Sequence, residues 1–311
     1  ADHPWLIYGL PFAGILISYL YVKAGRNAYT GENLLKSEVM QASKDIPIYM
    51  VPLVFFGSLL TTFFGGSAGK EAAGIAMGGT LADAIAHRFK LSEEEQRTLV
   101  VIGVGSGFGV LYDVPLAGAI LGMELVLKGK FHYEALVPAF VSSVVANKVA
   151  YLLGDQAIVY PALDLGGFSF LLIVNGLGQS FIAKSFEESV SLMEWIWKII
   201  FTAVALGSVF QGGRGNPTFF VGATFGSAIA PYFNLSIPSV AALGMIGVFC
   251  GAASLPLTGI VMSIEYFGAN EVMAIILVMT ITYMISGFYD LFSTNKLAKG
   301  KKELFEAQIK S

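Results

Sequence analysis

The chain alternates long apolar runs with short polar breaks. Residues 4–22 and 46–64 are each apolar over a stretch long enough, as a helix, to cross roughly 30 Å of hydrocarbon. A polar turn separates them at 23–44, and residues 71–86 form a small-residue helix rich in Gly and Ala. Residues 87–97, HRFKLSEEEQR, read as a water-exposed loop. Two short apolar pieces follow, 98–111 and 115–127, split by Tyr112 and Asp113, and 136–153 is again long enough to span. Residues 156–167 read as a loop, after which 195–210, 217–232, 237–255, 256–267 and 272–289 continue the pattern. Several pieces are too short to span and are interrupted by Gly or Pro. Irregular backbone at membrane depth is tolerated only where protein or a water-filled cavity surrounds it, and broken helices in matching places of two halves point to a transport site.

The two halves are visible. GKEAAGIAMGGTLADAIA (69–86) lies over GRGNPTFFVGATFGSAIA (213–230), so that Gly69, Gly78 and Thr80 match Gly213, Gly222 and Thr224, and Lys70 matches Arg214. GVGSGFGVLYDVPLAGAILGME (103–124) lies over GMIGVFCGAASLPLTGIVMSIE (244–265), matching Gly103, Phe108, Pro115, Gly118 and Glu124 to Gly244, Phe249, Pro256, Gly259 and Glu265. A weaker match sets Gly31-Glu32-Asn33 against Gly178-Gln179-Ser180. The division is 1–153 for the first repeat, 154–295 for the second and 296–311 for a charged tail. Either the second repeat lacks helices or the sequence is missing a stretch near residue 174, because only residues 168–174 precede its first turn where the first repeat has a full spanning segment. The fold class is an all-α polytopic membrane protein, its two inverted repeats carrying broken half-helices that meet at a central anion pathway.

Composition agrees. Of 311 residues, 55% are hydrophobic and 13% charged, against about 25% charged in soluble domains. Lipid is therefore the solvent for most of the chain. The net charge of −3 argues against nucleic acid, and one cysteine, Cys250, excludes an internal disulfide or a cysteine-based metal cluster. No metal or cofactor is expected. The three histidines, His3, His87 and His132, fall near polar breaks. The chain starts at Ala1 with no visible signal peptide, as a processed or trimmed form would.

A helix that begins inside a membrane protein presents unbonded N–H groups and the positive end of its dipole, which is an anion site needing no full charge. Such starts recur near Gly31, at Gly69 and Gly213, and at Gly178. Glu71 opens one of them, where a carboxylate can occupy the anion site as a tethered competitor and leave when protonated, acting as gate and proton carrier. Its counterpart is Gly215, so the half-helix does not need the acid to fold. Lys70 and Arg214 belong to the anion-binding set, supporting the turns or their field more than ligating directly. Glu124 and Glu265, kept in both halves, suggest a structural role, and Phe219 and Phe220 read as core or pathway walls. An intramembrane hydrolase would need a Ser–His or paired-Asp constellation at depth, which this pattern lacks, so the chain is not read as an enzyme.

These residues resemble the CLC family of anion channels and proton-coupled antiporters. GKEAA (69–73) is similar to the family's G(K/R)EGP motif, and the gating role carries to Glu71. GGRGNP (212–217) is similar to its GxFxP element, which places Gly215 and Asn216 beside the pathway; DVPLAG (113–118) and LPLTG (255–259) resemble its paired helix starts. GRNAYTGENLL (25–35) resembles the turn of the bacterial fluoride/proton antiporter branch, where Glu32 stands in place of that branch's Met, between Gly31 and Asn33. Leu125 stands where chloride antiporters carry an inner proton-transfer Glu, and the family's pathway tyrosine falls near Phe292, with Tyr289 as the neighbouring alternative. The resemblance implies exchange of a small halide, fluoride ahead of chloride, for protons across a bacterial plasma membrane by a homodimer. A chloride/proton antiporter and a passive anion channel use the same elements and stay open.

Overall fold

The computed structural model describes residues 8–24, 46–66, 71–126, 133–154, 178–207, 213–286 and Leu291. Among them are twelve α-helices: α1 (Leu10–Ala24), α2 (Met50–Phe63), α3 (Glu71–Phe89), α4 (Glu93–Tyr112), α5 (Pro115–Val126), α6 (Leu136–Leu152), α7 (Gln179–Glu187), α8 (Glu194–Gly207), α9 (Gly215–Ile229), α10 (Ile237–Ala253), α11 (Pro256–Phe267) and α12 (Val272–Ile285). Short 3₁₀ turns lead into α6 at Tyr133–Ala135 and out of α9 at Ala230–Phe233. Among the described residues, no helix is both long and apolar enough to cross a membrane by itself.

The two sequence repeats become two structural ones. Helices α3–α6 run in the same order as α9–α12, and their closest packings are made by matched glycines. Gly78 of α3 lies against Gly103 of α4, so close that a methyl on either would land on the other's carbonyl oxygen; Gly222 of α9 and Gly244 of α10 do the same in the second half. Backbone approach of this kind is what small residues provide between membrane helices. The chain reversals repeat as well. The non-glycine residues of positive φ among the described residues are Lys90 (53°), Asp113 (55°), Asn234 (52°) and Ser254 (57°). Lys90, after α3, and Asn234, after the 3₁₀ turn that follows α9, hold matched positions, and Asp113 and Ser254 hold matched positions before Pro115 and Pro256. Left-handed backbone costs free energy in any residue with a Cβ, so its recurrence at paired places marks the same turn built twice.

The halves are then joined by an exchange of carboxylates. Pro115 and Pro256 open α5 and α11 in the position where a missing N–H is harmless, which leaves the following amides in need of acceptors. For α5 the acceptor is Glu265, at the far end of α11: Leu116 and Ala117 donate their N–H groups to Oε1 and Oε2 at 2.9 and 2.8 Å. For α11 it is Glu124, at the far end of α5: Leu257 and Thr258 donate their N–H groups at 3.0 and 2.8 Å, and the Thr258 hydroxyl donates at 2.5 Å. Each half caps the other. The structural role read for the matched glutamates is thus present, in a form that crosses between repeats.

The interior is a seam of aromatic and aliphatic side chains, with Phe108, Tyr112, Phe219, Phe220 and Phe249 all buried. The outside is apolar too. Val137, Val141, Val145 and Val149 on α6, and Met273, Leu277, Ile281 and Met284 on α12, are exposed at spacings that place each set along one helix face. Continuous exposed apolar faces of this extent suit a lipid surrounding.

One boundary departs from the sequence expectation. Residues 87–97 are not one loop: α3 continues to Phe89 and α4 begins at Glu93, leaving a turn of three residues. The reason is a capping box in the SEEE stretch. Glu95 donates its N–H to Ser92 Oγ at 3.4 Å and accepts from the Ser92 N–H at 2.8 Å and hydroxyl at 2.7 Å. This reciprocal pair stabilises a helix start even in water. Helix α8 covers Glu194–Gly207, and residues 208–210 of the expected segment lie outside the described residues.

Candidate functional site

The best-defined part of the site is the start of α9. Gly215 is its first residue, Arg214 precedes it with no side-chain cap, and Asn216 is buried at the next position. The first-turn N–H groups therefore point at the seam between the halves. Tyr112, the last residue of α4, reaches across that seam and donates its hydroxyl toward Asn216 Oδ1 at 3.5 Å. The Tyr112 ring stands edge-on to Phe219 at 5.3 Å and tilted against Phe108 at 4.7 Å, while Phe249 closes the cluster at 4.8 Å from Phe219. Tyr266 of α11 donates its hydroxyl to the Tyr112 carbonyl at 2.8 Å, which fixes the end of α4. Phe108 and Phe249 are a matched pair from the two repeats, so the cluster straddles their meeting line.

Arg214 does not face this seam as a free cation. Its Nη1 donates to the Leu291 carbonyl at 2.9 Å, tying the chain after α12 to the start of α9. Across the molecule α3 opens at Glu71, so the acid holds the helix-start position that Gly215 holds in α9. The Glu71 side chain, Gly31, Glu32, Asn33, Gly69, Lys70, Tyr289 and Phe292 lie outside the described residues. Gly178, at the start of α7, has φ +67°, and a Cβ there would meet the Phe220 ring at 2.7 Å, so the turn demands glycine.

Sequence reasoning missed three residues near this region. Tyr112 was visible only as a break between apolar pieces; the signal was in the repeat, where its counterpart is Ala253. Lys198 is 0% exposed, with its ammonium 5.1 Å from the centre of the Phe220 ring, yet it hides inside the apolar run WIWKII. Glu194, one helical turn before it, is 8% exposed.

Comparison with known proteins agrees with this architecture. The family described as "Voltage gated chloride channel" matches residues 13–174 and 162–287. A chloride/fluoride channel protein from Pseudomonas syringae pv. tomato is 30% identical over 96% of this chain and 80% of its own length. Among solved structures, a CLC-type fluoride/proton antiporter superposes with a TM-score of 0.85 at 27% identity, covering 94% of this chain and 89% of the other. A slow cyanobacterial Cl⁻/H⁺ antiporter superposes at 0.73 with 18% identity, covering 99% and 87%, a likeness of fold alone. The chain belongs to the voltage-gated chloride channel (CLC) family, and its two-repeat, all-helical build is that of a polytopic membrane protein.

Proposed function

We propose that this protein exchanges a small halide, fluoride ahead of chloride, for protons across a bacterial plasma membrane, and that Glu71 is both gate and proton carrier. The observation that carries the reading is the asymmetry between matched helix starts: α3 opens on Glu71 and α9 on Gly215, within repeats that otherwise share their turns, glycine seams and caps. A carboxylate at a helix start competes with a free anion for the same N–H groups while ionised and gives them up when protonated. One group thereby links anion passage to proton passage. Gly31, Glu32, Asn33, Gly69, Lys70, Gly215 and Asn216 would line the anion route, with Tyr289 or Phe292 as its aromatic side and Arg214 holding the adjoining chain. The fluoride preference is supported by the fluoride titles of the relative from Pseudomonas syringae pv. tomato and of the antiporter structure at 27% identity. A homodimer with one pathway per subunit is the assembly proposed.

The test is ion efflux from proteoliposomes, recording fluoride, chloride and pH together. Downhill fluoride is expected to drive protons uphill, and Glu71→Gln to abolish proton movement. Anion flux without protons in the wild type would make the protein a channel. Chloride moved in preference to fluoride would make it a chloride/proton antiporter. No anion flux of either kind would overturn the reading.

A further inference from the structure

The buried and half-buried acids of the described residues are not equivalent. Asp83 is fully committed: it accepts from the Ile46 N–H at 3.1 Å and from Gln96 Nε2 at 2.7 Å, with His87 Nδ1 at 3.5 Å. Glu124 and Glu265 are spent on the reciprocal caps. Glu194 differs. It is 8% exposed, and its Oε2 is buried with no hydrogen-bond partner. Buried polar atoms are nearly always bonded, and each that is not asks for a reason. An ionisable side chain at membrane depth marks an ion or proton route more often than a structural one.

Its surroundings form a ladder of titratable groups. On the outer side, Lys184 near the end of α7 is half exposed, pairs with Glu188 at 3.0 Å and acts on Glu194 through its charge. On the inner side, one turn along α8, the fully buried Lys198 lies against Phe220. Its Nζ is also 3.7 Å from where a Cβ of Gly178 would stand, at the first turn of α7. Phe220 adjoins Phe219 of the aromatic seam. Helix α9, packed against α8, contributes no titratable side chain between Gly215 and Ile229. Glu194 therefore stands between water and the seam, the one buried acid here whose oxygens are not both committed.

We propose that Glu194 is a proton-transfer residue of the second half; the proposal rests on the antiport reading above. Oε2 takes a proton from water on the Lys184 side, giving the neutral acid. It releases the same proton to Glu71, the proton carrier of the antiport reading, which leaves the Glu194 carboxylate ionised again. One O–H bond forms and the same bond breaks, with nothing oxidised or reduced.

The experiment reads proton and fluoride fluxes separately in proteoliposomes of the full chain, for wild type, Glu194→Gln and Glu194→Asp, from acid to neutral pH. Glu194→Gln is expected to lower proton flux about a hundredfold, the low end of what a positioned proton-transfer group contributes, and to lower the proton-to-fluoride ratio with it. Glu194→Asp is expected to keep proton flux within about tenfold of wild type and shift its pH profile. Loss of both ions in equal proportion in both variants, or an unchanged ratio in Glu194→Gln, overturns the proposal. A wild type that moves no protons fails at the antiport reading itself, and the two failures are thereby told apart.

Discussion

The start of α3 and the start of α9 are the same device at two places, and they differ in one residue of consequence. Both follow a glycine and a basic residue, Gly69-Lys70 in one and Gly213-Arg214 in the other, and both helices pack on the next through a glycine pair. Only α3 opens on an acid. The same contrast recurs at the end of the following helix, where Tyr112 of α4 stands against Ala253 of α10. Matched positions carry the fold, because each half must solve the same problem of close backbone packing and tight reversal. Unmatched positions are where one copy has been released to do something else.

That comparison can be broken experimentally. The largest effect belongs to the glycine seam: Gly78→Ala and Gly222→Ala each push a methyl onto a facing carbonyl, and each is expected to cost about 3 kcal/mol. Thermal melting in detergent would check it, and a tolerant second copy would show that the two seams are not equivalent. Next come the exchanged caps. Glu124→Ala and Glu265→Ala each strip two helix N–H groups of their acceptor, a loss of about 1–2 kcal/mol. A somewhat larger shift in melting temperature is expected for Glu124→Ala, which also loses the Thr258 hydroxyl bond, and a larger shift for Glu265→Ala would mean that the symmetry is one of shape and not of energy.

The smallest effect concerns the capping box before α4, whose side-chain bonds have no copy at the matched start of α10. Hydrogen bonds from the Ser92 hydroxyl and N–H hold the exposed Glu95 carboxyl below its ordinary range. A carboxyl depressed in the folded state adds stability above its unfolded value and loses it as pH falls through the folded one. Ser92→Ala should therefore lower the melting temperature slightly at neutral pH and by less at acid pH, flattening the acid limb, while Ser236→Ala, at the matched start of α10 where no side-chain cap bond exists, should change neither limb.

Much of this was legible in the sequence because the repeat preserves Gly, Pro and Glu, residues whose backbone or charge demands are specific. Gly78 and Gly222 could be aligned from letters alone, and Glu71 stood out because Gly215 did not copy it. What the letters withheld was partnership. The matching of Glu124 and Glu265 suggested a structural duty, but not that each serves the other's half, since neither acceptor lies near its donors in the chain. Tyr112 and Asn216 meet only when the halves do. Lys198 escaped notice because hydrophobic patterning averages over a window, and one cation among aromatic and aliphatic neighbours barely moves the average. The SEEE stretch failed for the opposite reason: its polarity suggested a loop, although its spacing was that of a helix start. The residues assigned around Gly31, Glu32 and Asn33 stand as proposals.

The exchanged glutamates have a consequence for ancestry. In a two-fold interface between identical subunits, residue i of one touches residue j of the other, and j touches i in return. Glu124 on the start of α11 and Glu265 on the start of α5 are that relation written inside a single polypeptide. The contact has the form of a dimer interface between two copies of a smaller protein, retained after the copies became one chain. Fusion freed each copy from having to match the other everywhere, and a lone acid at residue 71 is a change that only a fused pair could keep on one side.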